Sequence, residues 1–134
     1  RRNEDATASE VVRLLISQNT TSVGLGAHGL GITTNTANIN LATYGTGGTQ
    51  VLTTAATNMV RNDRSWIYIE HEPGVSTRLF INNVLSATNS TAAEIPSTEP
   101  AADYTLMASV ARSGGADTAN DGFVSEYVTI GMEL

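Results

Sequence analysis

The chain has 134 residues and a mass of 14.1 kDa, and it contains neither cysteine nor lysine. All seven basic residues are arginines, set against thirteen carboxylates, for a formal net charge of −6 and a pI of about 4.7. These counts exclude a disulfide framework, a thiolate zinc site, a cysteine nucleophile, a P-loop and Schiff-base chemistry. An acidic chain with dispersed arginines predicts no nucleic-acid binding. No apolar run approaches the ~18 residues of a membrane-spanning helix, so no membrane insertion is expected. Charged residues make up only 15% of the chain, and Thr, Ser, Asn and Gly dominate its polar part. That mixture suits an all-β protein of an extracellular surface or a virion. The chain starts on Arg1, which reads as a processed product or an excised fragment.

Residues 1–9 are polar and aperiodic, and read as a flexible arm or the end of a linker. Residues 10–134 then form a single domain of short segments separated by Gly, Asn or Pro. Residues 10–17 are apolar at Val11, Val12, Leu14, Leu15 and Ile16, a strand whose pattern would also suit a helical turn. Residues 22–34 carry four glycines, which let another backbone or a bulky ring come close. Residues 37–44 alternate Ile39, Leu41 and Thr43 against Asn38, Asn40 and Ala42, and a glycine turn leads into a strand at 49–55.

Residues 65–72 alternate Trp66, Tyr68 and Glu70 against Ile67, Ile69 and His71. Pro73-Gly74 predicts a turn, residues 75–82 a second strand, and Asn82-Asn83 the two-residue hairpin turn with left-handed φ at both positions. A strand over 84–88, a loop containing Ile95-Pro96, a strand over 103–112 and a last strand over 123–134 complete the series. The expected architecture is an all-β, antiparallel β-sandwich of jelly-roll type with about eight strands.

Trp66, Tyr68, Ile69, Gly74, Leu79, Phe80, Ile81, Asn82, Asn83, Leu85, Ile95, Pro96, Tyr127, Val128 and Ile130 fall in an order that resembles the concanavalin A-like, laminin-G-like jelly roll, particularly the compact forms of bacteriophage and other viral structural proteins. The likeness covers residues 60–134 and is topological over 10–60. Glu126 stands where the pattern often has Asp, and such modules usually carry further strands before the position of Glu10. The resemblance implies a non-enzymatic module of a virion or extracellular surface: a capsid decoration, head-fibre or tail-fibre protein.

No catalytic constellation is expected. Relatives of this fold that cleave β-glucans use two carboxylates on one strand face, and the nearest pair here, Glu70 and Glu72, lacks an Asp between them. Asp117, Asn120 and Asp121 offer hard oxygen ligands for a Ca²⁺ ion in a Gly-rich loop, without EF-hand spacing. Otherwise no cofactor is expected. For a carbohydrate-binding, lectin-like role the exposed candidates are Tyr44 and Tyr104, while Trp66, Phe80 and Phe123 read mostly as core. Strands with apolar residues on both faces point instead to packing in a homo-oligomer and against other virion subunits.

Overall fold

A computed structural model describes residues 2–3, 9–17, 29–34, 38–45, 50–56, 65–97, 105–113 and 122–123. The described residues are almost entirely β. In chain order the strands are β1 (Arg2–Asn3), β2 (Ser9–Ser17), β3 (Gly29–Thr34), β4 (Ile39–Tyr44), β5 (Gln50–Thr54), β6 (Ile67–Glu72), β7 (Ser76–Ile81), β8 (Val84–Asn89), β9 (Thr105–Ser113) and β10 (Gly122–Phe123). The sole helical element among them is a 3-10 turn at Ala92–Glu94. The helical alternative at residues 10–17 loses to strand because both neighbours, β3 and β9, satisfy its backbone ladder. All pairings are antiparallel, giving a sheet of order β5-β4-β3-β2-β9, a sheet of order β6-β7-β8, and the short pair β1-β10. Residues 124–134, expected as the last strand, lie outside the described residues.

Strand alternation decides which side chains meet. In β4, Ile39, Leu41 and Thr43 face one way and are all but inaccessible. Ile32 of β3 lies opposite Leu41, and Leu14 of β2 lies opposite Ile32. These side chains share one apolar cluster with Leu79 and Ile81 of β7 and Ala87 of β8, and Ile67 and Ile69 of β6 pack against it. Both larger sheets therefore feed a common core. Between them Asn89 donates from Nδ2 to Thr43 Oγ1 (2.9 Å) and to Glu94 Oε2 (3.2 Å), while its Oδ1 accepts from the Thr91 backbone (3.0 Å). A buried amide so fully partnered costs little to bury, whereas each lost partner would leave an orphan worth about 1–3 kcal/mol.

The turns follow their residues. The Val75 N–H donates to the Glu72 carbonyl (3.0 Å) with Pro73 second and Gly74 third at φ +68°, a type II turn. Asn82 and Asn83 stand at φ 52° and 66°, the left-handed pair that a tight hairpin between β7 and β8 requires. Asn82 does more than turn. Its N–H donates to the Trp66 carbonyl and its Oδ1 accepts from the Trp66 N–H, both at 2.9 Å, extending the β6–β7 ladder by one rung.

Candidate functional site

The sheet β6-β7-β8 has two unlike faces. Ile67, Ile69, Leu79, Ile81 and Ala87 turn inward to the core. The opposite face carries Trp66, just before β6, with Tyr68, Glu70 and Glu72 from β6, Arg78 and Phe80 from β7, and Leu85 and Thr88 from β8. Register places Tyr68 opposite Phe80, Phe80 opposite Leu85, Glu70 opposite Arg78 and Arg78 opposite Thr88. A bulge between Leu79 and Phe80 shifts the β7–β8 register, so that Leu85 joins this face. Trp66 is 66% exposed, Tyr68 58% and Leu85 51%. The Tyr68 and Phe80 rings meet at 5.7 Å between centroids and 44° between planes, which holds Tyr68 upright against a half-buried neighbour. Beside them Arg78 Nη1 lies 3.1 Å from Glu70 Oε2. That pair is open to solvent and contributes ~1 kcal/mol at most. The result is an apolar stripe with the Glu70–Arg78 pair at its side and Glu72 at its turn end.

Alternation separates the three titratable groups of β6 as its sequence implies: Glu70 and Glu72 are exposed, and His71 is turned to the other side. Arg78 engages Glu70, and Glu72 opens the turn to Gly74. His71 makes an Nδ1 contact with Thr77 Oγ1 (2.9 Å) and hydrogen-bonds the Pro96 backbone. The Pro96 carbonyl also accepts from the Gly74 N–H (3.0 Å), so the segment after the 3-10 turn is strapped to the β6–β7 end.

Burial pushes His71 below its ordinary value of 6.5, and the bond to Pro96 opposes this in part. Between that lowered value and 6.5 the unfolded chain binds the extra proton. The contribution of His71 to stability is thus greatest above 6.5, declines as pH falls through it, and levels off below the folded-state value. Thermal melts from about pH 7.5 to about pH 5 are expected to fall more steeply for the native chain than for His71→Gln. Parallel curves would remove His71 from the acid sensitivity.

Tyr44 is half-buried, packs against Ala42 and lies opposite Gly29 in the β3–β4 ladder. Tyr104, Asp117, Asn120 and Asp121 lie outside the described residues. Among the described residues no group of three His, Asp or Glu side chains is placed to hold a metal ion. The structure corrects the assignment of Trp66 and Phe80 to the core: Ile67, Ile69, Leu79 and Ile81 occupy the inner face, leaving Trp66 and Tyr68 exposed and Phe80 half-buried on the outer one. The sequence did carry a signal for this, since Glu70 shares the face of Trp66 and Tyr68, and an unburied carboxylate marks the solvent side. Compared with family models, with curated proteins and with solved structures, the chain matches none.

Proposed function

We propose that this chain is a non-enzymatic structural module of a virion or surface assembly, a capsid decoration, head-fibre or tail-fibre component that works by packing against neighbouring subunits. The carrying observation is the outer face of β6-β7-β8, where Trp66, Tyr68 and Leu85 stand exposed in one stripe although the same sheet already fills a core with its other face. Exposed apolar stripes of this kind mark interaction surfaces. The two sheets around a common core support an antiparallel β-sandwich, and the order of motifs from Trp66 to Pro96 supports the jelly-roll, laminin-G-like form of it. Light scattering over a concentration series is expected to show association that Trp66→Ser with Tyr68→Ser abolishes. A monomer at every concentration would sink the reading.

A second reading is favoured by the same two rings. Exposed Trp and Tyr side chains beside a carboxylate and a guanidinium suit stacking and hydrogen bonding to a sugar, as a lectin-like module would use. Trp66 is the chain's single tryptophan, so its fluorescence reports directly on this face. Titration with host-surface oligosaccharides that shifts this emission in a monomeric protein would choose the glycan reading over assembly.

A further inference from the structure

Resting on the assembly reading, we infer that the occupant of the outer face is a second copy of this chain, related by a two-fold axis parallel to the strands and midway between β6 and β7. Such an axis lays β6 of one copy over β7 of the other at the same level. Residues opposite each other within the sheet then also meet between the sheets. Tyr68 lies opposite Phe80 and Glu70 opposite Arg78. Each copy therefore sets Tyr68 against Phe80 of the second copy, and Glu70 against Arg78 of the second copy. The interface is self-complementary in both apolar and charged parts. Glu72 comes level with Ser76 of the second copy, so carboxylates do not confront one another.

Charge favours this place on the molecule. Two copies of a chain with net charge −6 repel, and they approach best where the surface is locally balanced. Glu70 and Arg78 cancel at the centre of the face, and Glu72, at its edge beside the turn, is the one further charge on it among the described residues. Size sets the strength. Three strands of six residues span about 14 by 20 Å, well under the ~800 Å² per partner of a stable complex. The pair is weak by itself and becomes effective where an assembly holds many copies close together.

The test uses Glu70→Arg and Arg78→Glu made separately in the full chain, both checked for native circular dichroism. One variant presents two positive charges at the centre of the face and the other two negative, while both proteins remain acidic overall. Each alone is expected to be monomeric by sedimentation velocity. Their equimolar mixture is expected to form a 1:1 pair at least about tenfold tighter than the native self-association at low salt, weakening as salt is added. Adding Tyr68→Ser to either partner is expected to abolish the pair. A mixture that stays monomeric overturns the inference. If the native chain still associates in that case, assembly stands through another surface; if the native chain is also monomeric, both readings fall.

Discussion

Replacing Gly45 by alanine is expected to lower stability by about 3 kcal/mol or more, the upper range for overpacking, because the added atom meets backbone rather than a movable side chain. A Cβ at Gly45 would stand 2.5 Å from the Ile95 nitrogen, 2.6 Å from the Ala93 oxygen and 2.7 Å from the Glu94 carbonyl carbon. None of these can retreat cheaply. The 3-10 turn is closed by the Glu94 N–H donating to the Thr91 carbonyl (2.8 Å), Ile95 is fully buried, and Asn89 grips both Thr91 and Glu94. Any shift that makes room for the methyl group uncovers Ile95 or breaks the Asn89 bonds. For a domain of this size that loss corresponds to a fall in melting temperature of about 10 °C. A native melting temperature in Gly45→Ala would show that the turn does not rest on β4.

Leu79→Ala is expected to cost about 2–5 kcal/mol. Leu79 is inaccessible, sits on the central strand of its sheet, and touches the core that β3 and β4 supply. The surrounding residues are fixed by ladders on both sides, so the cavity collapses poorly. Leu85→Ala removes the same atoms from the outer face, where Leu85 is 51% exposed, and is expected to change stability by only about 0.5 kcal/mol. Urea unfolding of the two variants measures the difference through the transition midpoint, with the slope unchanged. Equal costs, or the reverse order, would mean that the two faces of β6-β7-β8 have been assigned the wrong way round.

The turns were legible in the sequence because their chemistry is local. Pro73-Gly74 and Asn82-Asn83 carry their backbone angles in their own residue types, and the structure shows those angles. The strands between them followed, since alternation with known turns at each end sets the register. The face of β6 was less accessible. Trp66 and Tyr68 compete with Ile67 and Ile69 for the core, and hydrophobicity alone favours neither set. The choice is made by β7, whose Leu79 and Ile81 must share a face with Ile67 and Ile69 when the strands pair. The contact of Gly45 with the 3-10 turn was not legible at all. It joins residues about fifty positions apart, and nothing in either segment names the other. The same holds for the Asn89–Thr43 bond between the sheets.

The pairing of β2 with β9 has a kinetic consequence. Ser9 lies opposite Ser113, so this ladder forms only after most of the chain has been drawn in between its two strands. The β6-β7-β8 meander, by contrast, closes through two tight turns and loses little chain entropy in doing so. Folding is thus expected to begin at the meander and to finish where β2 meets β9. These two strands stand or fall together as the last cooperative unit, and unfolding opens first where they join.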